Sequence, residues 1–213
     1  MISLGAIALA SLIAACAIDI PKPKAFIRIG TGPQVGVYYA TGLALAELVN
    51  DGTVRHGVDA TAESTEGSVF NINALLKNDL DIAFAQADHE YHAFHGEGDW
   101  EGAPHDELRF ICGLYTEALA LVAEASSGIL GLEDVRGKNV SIGAAGSGTR
   151  STALACLDLY DIEPDRDFRT AAFGPGEAGL MLQDGRIDAF FYATGHPNGF
   201  LTEATNGTHP VRF

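Results

Sequence analysis

Apolar positions along this chain recur in short runs that end in glycine- and hydroxyl-rich breaks, each followed by a stretch with helical spacing. Phe26-Ile27-Arg28-Ile29 is a strand candidate that runs into Gly30-Thr31-Gly32-Pro33-Gln34-Val35-Gly36, and a helix is predicted from about Tyr38 to Asn50. Val58 to Glu63 alternates as a strand does, Ser64-Thr65-Glu66-Gly67 breaks it, and Val69, Ile72, Leu75 and Leu76 then recur at helical spacing. Asp81 to Gln86 is predicted as a third strand. Ala87-Asp88 ends it, before a short polar helix and a Gly- and His-rich loop reaching about Asp106.

Leu108 to Glu124 is a long β-capable run, placed to cross from one lobe to another. The strand, break and helix unit then returns three times. Val140 to Gly143 leads into Ala145-Gly146-Ser147-Gly148-Thr149 and a helix through Leu159. Phe168 to Phe173 leads into Gly174-Pro175-Gly176 and a helix carrying Leu180, Met181 and Leu182. Ile187 to Tyr192 leads into Gly195-His196-Pro197-Asn198 and a helix to about Ala204. Strands alternating with helices on short connections predict an α/β protein of two lobes, 25–114 and 115–213, each with a mainly parallel sheet flanked by helices. Ligands of such sheets bind beyond the carboxyl ends of the strands, where helix N-termini present free N–H groups.

Charge narrows the partners. With 28 acidic against 13 basic side chains and a formal net charge of −15, the chain repels a phosphate backbone, so no nucleic-acid partner is expected. An anionic small molecule must then be held by a local cradle of N–H groups and hydroxyls rather than by the overall field. Residues 1–17 are apolar or small and too short to span a bilayer comfortably, as in an export signal, although the usual basic n-region is absent. Ala15-Cys16-Ala17 fits ordinary signal cleavage, and Ile13-Ala14-Ala15-Cys16 fits a lipobox that would lipidate Cys16; both remain open, and either makes the protein periplasmic. Cys112 and Cys156 sit among apolar neighbours without metal-type spacing and read as buried free thiols, although export would also permit a disulfide between them.

The strongest chemical signal is Ala145-Gly146-Ser147-Gly148-Thr149, where glycines allow a tight turn and hydroxyls and N–H groups face one point at a helix start, suiting a carboxylate. Ser64-Thr65-Glu66-Gly67-Ser68 offers a comparable cluster in the first half. Other chemistries fail on spacing. Pro33 disturbs any dinucleotide fingerprint at Gly30 to Gly36, and no Gly-Lys-Ser or Gly-Lys-Thr occurs, so no nucleotide cofactor is expected. His89, His92 and His95 lack the zincin pattern and read as a solvated segment rather than a metal site. Ser147 does not lie in a nucleophile elbow, so no catalytic residue is assigned.

Ile29-Gly30-Thr31-Gly32, Gly36-Val37-Tyr38-Tyr39, Glu63 to Val69, Asp81-Ile82-Ala83 and Gln86-Ala87-Asp88 resemble, in order, the first lobe of TAXI-type solute-binding proteins of TRAP transporters. Leu114-Tyr115, Asp134-Val135-Arg136-Gly137-Lys138, Gly146 to Thr149 and Asp184 to Tyr192 resemble the second. The resemblance covers about residues 25–213. It implies a type 2 periplasmic binding protein fold, no catalysis, and delivery of a glutamate-like amino acid or dicarboxylate to a TRAP permease in the membrane. Carried over position by position, it implies that Thr31, Gly32 and Tyr38 line the first wall, with Ser64, Thr65, Ser68 and Gln86 as polar contacts. Ser147, Gly148 and Thr149 would close from the second lobe, with Tyr115 near the hinge and Tyr192 and Gly195 at the rim. Family members continue into a second crossing and a C-terminal return, whereas this chain stops at Val211-Arg212-Phe213. The expectation is therefore poorly guided closure and weak or absent binding by this chain. Two alternatives stand beside it: a periplasmic ligand sensor of the same fold for a signalling partner, and a secreted hydrolase using Ser147, which needs a His and an acid converging on that hydroxyl.

Overall fold

The computed structural model describes residues 25–213; the candidate signal segment 1–17 and Cys16 lie outside them. β1 (Ala25–Gly30) lies between β2 (Val58–Glu63) and β3 (Ile82–Ala83) in a parallel three-stranded sheet, order β2-β1-β3. The third strand is shorter than predicted because β1 offers β3 only Ile29 and Gly30 as partners. Its approach is fixed by Arg28, whose Nε donates to Asp81 Oδ2 at 2.9 Å while its backbone N–H donates to the same oxygen at 2.8 Å.

α1 (Val37–Asn50) follows β1, and the four-residue α2 (Thr53–His56) leads into β2. α3 (Ser68–Leu76) follows β2 and α4 (Ala87–His95) follows β3. One apolar cluster joins Ile29, Ala46, Ala60 and Phe84; another joins Ile72, Ala93 and Trp100. The histidine-bearing segment is helix rather than loop, with His89 buried.

The expected crossing strand over Leu108 to Glu124 is confined to β4 (Glu117–Glu124). Residues 108–116 have no strand partner among the described residues, and a backbone without a ladder partner stays irregular. Phe110, Ile111 and Leu114 are exposed there. The second sheet has the order β6-β5-β7-β4-β8. β5 (Asn139–Ser141), β6 (Arg169–Ala171) and β7 (Ala189–Gly195) run parallel, as expected. β4 runs antiparallel to β7 and to β8 (Val211–Arg212), so this sheet is mixed rather than mainly parallel.

Period-two alternation sorts β7 and β4 onto two cores. Ala123, Ala189 and Phe191 point to one face, capped by Ala153 and Leu157 of α5 (Gly148–Asp158). Val122, Phe190 and Tyr192 point to the other, against Ala178 and Leu182 of α6 (Pro175–Gln183) and Leu201 of α7 (Gly199–Thr205). Among the described residues Cys112 and Cys156 are free thiols, and where burial was expected Cys112 is exposed and Cys156 half-buried. No helix among the described residues is long and apolar enough to cross a membrane.

Candidate functional site

Five helices aim their first turns at one cleft between the two sheets. The N-cap residues Gly36 of α1, Gly67 of α3, Gln86 of α4 and Ser147 of α5 line it, together with Pro175 in the first turn of α6. The geometry follows from chain direction: each of these helices leaves the carboxyl end of a parallel strand, so their unsatisfied N–H groups gather on the same side. β4 runs the opposite way, which sets its first residue, Glu117, beside the last residue of β7, Gly195. Glu117 therefore lines the cleft.

The two walls touch. The N–H of Phe70 donates to Gly146 O at 3.0 Å, and Gln86 Nε2 donates to Thr152 Oγ1 at 3.1 Å. Tyr38 Oη donates to Glu117 Oε2 at 2.8 Å. Between them the cleft encloses about 50 Å³, room for a few waters. Drug- and metabolite-sized sites run to several hundred Å³, so the space in this conformation is small for a solute of that size.

Gly148 makes this closeness possible. A Cβ there would overlap Gln86 Oε1 and lie 2.7 Å from Ser68 Oγ. Gly67, on the facing loop, sits at φ 110°, ψ −150°, a conformation open essentially to glycine alone.

Of the residues singled out in the sequence, Gly32, Tyr38, Ser68, Gln86, Ser147, Gly148, Thr149 and Tyr192 line the cleft. Some of their side chains serve the fold as well. Ser147 Oγ accepts from the N–H of Arg150 at 3.2 Å as a helix cap and donates to Ala144 O at 2.8 Å. Thr149 Oγ1 accepts from the N–H of Ala193 at 3.1 Å, tying α5 to β7. The N–H groups of Gly148 and Thr149, in the first turn of α5, have no intrahelical acceptor.

Thr31, Ser64, Thr65, Tyr115 and Gly195 stand outside the lining. Thr31 is fully buried, and its hydroxyl donates to Glu63 O at 2.6 Å. Ser64 Oγ donates to Gly32 O at 3.0 Å, and Thr65 Oγ1 lies 2.7 Å from Oδ1 of the buried Asn71. Asn71 in turn donates to Thr31 O and Phe84 O, so these hydroxyls brace the loop behind the wall. Gly195 packs on the Tyr115 ring, where a Cβ would come within 2.9 Å.

Sequence reasoning missed Glu117, together with Phe173, Phe191 and Thr194 in the wall. The cleft contains two carboxylates, Glu66 and Glu117, and no Lys, Arg or His among its lining residues. Burial pushes the Glu117 carboxyl above its ordinary range, and the Tyr38 hydroxyl pulls the other way. Burial, then the neighbouring Glu117 charge, holds the Tyr38 phenol far above its usual value, so it stays a donor. Among the described residues, no group of three or more His, Cys, Asp or Glu side chains is placed to hold a metal.

Residues 29–213 match the model of the NMT1-like family. The chain belongs to the NMT1-like family. Solved structures similar to this NMT1-like chain include the alkanesulfonate-binding protein SsuA from Xanthomonas axonopodis pv. citri bound to MOPS. The identity is 19% and the TM-score 0.58, covering 90% of this chain and 61% of that one. The chain thus spans less than two thirds of SsuA. A substrate-binding protein of an ABC uptake transporter from Streptococcus pneumoniae with bound histidine matches at 19% identity and TM-score 0.57, over 87% of this chain and 73% of that one. The GluR0 ligand-binding core from Nostoc punctiforme in complex with L-glutamate matches at 20% and 0.54, over 87% and 77%. At such identities the likeness establishes the fold: the NMT1-like chain has the α/β fold of periplasmic binding proteins.

Proposed function

We propose that the protein is an extracytoplasmic solute receptor of TRAP transporters, TAXI type. It binds a small anionic solute such as glutamate or a dicarboxylate between residues 25–114 and 115–213, and hands it to the membrane permease. The observation that carries this reading is the convergence of five helix N-termini, from both lobes, on one cleft without a cationic side chain. Each N-terminus contributes roughly half a positive charge through its aligned peptide dipoles. Together with the free N–H groups of Gly148 and Thr149 they form a site for a carboxylate in a molecule whose net charge opposes one. The wall residues Gly32, Tyr38, Ser68, Gln86, Ser147, Gly148, Thr149 and Tyr192 make the contacts, while Thr31, Ser64, Thr65, Tyr115 and Gly195 act from behind it. The fold is shared with proteins solved with bound histidine and bound L-glutamate, which supports a small carboxylate-bearing ligand. The ordered TAXI-like motifs support the TRAP assignment and a periplasmic location.

Thermal unfolding with and without L-glutamate, 2-oxoglutarate and succinate tests the proposal. A ligand that binds only the folded state stabilises it by about 2.7 kcal/mol at a hundredfold excess over Kd. Against the weak or absent binding expected from the sequence, at least one of the three raises Tm in a concentration-dependent way; a flat response to all of them removes the receptor reading.

A further inference from the structure

We propose that Glu117 sets the specificity of the cleft by holding the protonated amine of an α-amino acid, so that amino acids bind in preference to keto acids with the same carboxylates. The inference rests on the receptor reading above and narrows it to one ligand class.

Glu117 brings unmatched charge to the cleft. Glu117 is half-buried at the start of β4, and its Oε2 accepts one hydrogen bond, from Tyr38. An ionised carboxylate has about four acceptor positions. Oε1 has no partner among the described residues, and no cation lines the cleft. A carboxylate withdrawn from water without a counter-charge is destabilised, and a partner that supplies one gains accordingly. The ammonium group fits in kind and number, since it brings a full positive charge and three donors.

Placement separates the two ends of such a ligand. Its carboxylate suits the helix N-termini, led by Ser147, Gly148 and Thr149 at the start of α5. Its amine suits Glu117, which enters from β4, the strand antiparallel to β7. Tyr38 belongs to the first lobe and Glu117 to the second sheet, so an amine docked on this pair contacts both walls at once. A keto acid offers the same carboxylate but places a carbonyl dipole, negative end out, toward Glu117. Two acceptors then face each other, which a site of this kind rejects strongly.

The test uses matched pairs that differ only in the amine: L-glutamate against 2-oxoglutarate, and L-alanine against pyruvate. Affinities are read by calorimetry and ligand-observed NMR on the 213-residue chain. Losing one partner of a desolvated charge pair costs about 30-fold or more in affinity. The amino acid of at least one pair therefore binds about 30-fold tighter than its keto partner, and Glu117→Gln reduces that ratio to about threefold by weakening the amino acid alone. Tyr38→Phe leaves Glu117 in place and keeps the preference, whereas a merely structural bond between the two would weaken both members of a pair equally in either variant. Equal or reversed affinities in the wild-type protein, or an unchanged ratio in Glu117→Gln, overturn the inference while leaving the receptor reading intact. Binding of none of the four ligands, nor of succinate, overturns both.

Discussion

At the scale of single residues, the cleft depends on what is absent as much as on what is present. Gly148 has no side chain, and the first-lobe groups Gln86 and Ser68 occupy the space a Cβ would take. Gly148→Ala leaves α5 helical, since alanine favours a helix over glycine, yet its Cβ displaces the Gln86 amide and crowds Ser68 Oγ at the cleft wall. The expected outcome is a protein whose Tm without ligand is unchanged or slightly raised, but whose ligand-induced rise in Tm is lost. Gly148 and its neighbours were legible in the sequence because a glycine- and hydroxyl-rich break before a helix has one dominant physical use. Thr31, Ser64 and Thr65 look equivalent by composition, but their hydroxyls are consumed by Glu63 O, Gly32 O and Asn71. Nothing in their spacing distinguishes a hydroxyl facing a ligand from one bracing a loop.

Among elements, the strand–helix units were readable wherever the partner was local. β1, β2, α1 and α3 lie within a residue or two of their predicted bounds, because period and breaks decide them. What failed was decided by distant partners. β3 is cut to Ile82–Ala83 by the short edge of β1, and 108–116 are irregular for want of a neighbour. The direction of β4 was also invisible, and with it the arrival of Glu117 at a cleft otherwise built from strand carboxyl ends. The Arg28–Asp81 pair that seats β3 supplies a test of its own. Hydrogen bonds from the Arg28 side chain and backbone hold the Asp81 carboxyl below its ordinary value. A lowered carboxylate stabilises the fold above its unfolded pKa, and the contribution disappears as the pH falls through the folded value. Asp81→Asn therefore unfolds at lower temperature than wild type at neutral pH, by a small margin because the pair is exposed. The two melting curves merge once the pH drops below the ordinary carboxylate range.

For the whole molecule, the formal charge of −15 works against any anion approaching the cleft. Screening relieves that repulsion, with the Debye length falling from about 30 Å at 0.01 M salt to about 8 Å at 0.15 M. A dianion such as succinate or 2-oxoglutarate should therefore bind more tightly as salt rises over that interval. A zwitterion such as alanine, with no net charge, should hardly respond. Calorimetric titrations at the two salt concentrations check this, and a dianion whose affinity falls with added salt would point to a local cation that the cleft does not display.

The register Glu117 with Gly195 closes a ladder of seven residue pairs running back to Ala123 with Ala189. A lone loop carboxylate could swivel toward its guest; this one is bolted to the end of a beam. Whatever tugs on Glu117 therefore loads β7 along the whole ladder as well as β4, the two strands that the cores on both faces of the second sheet share.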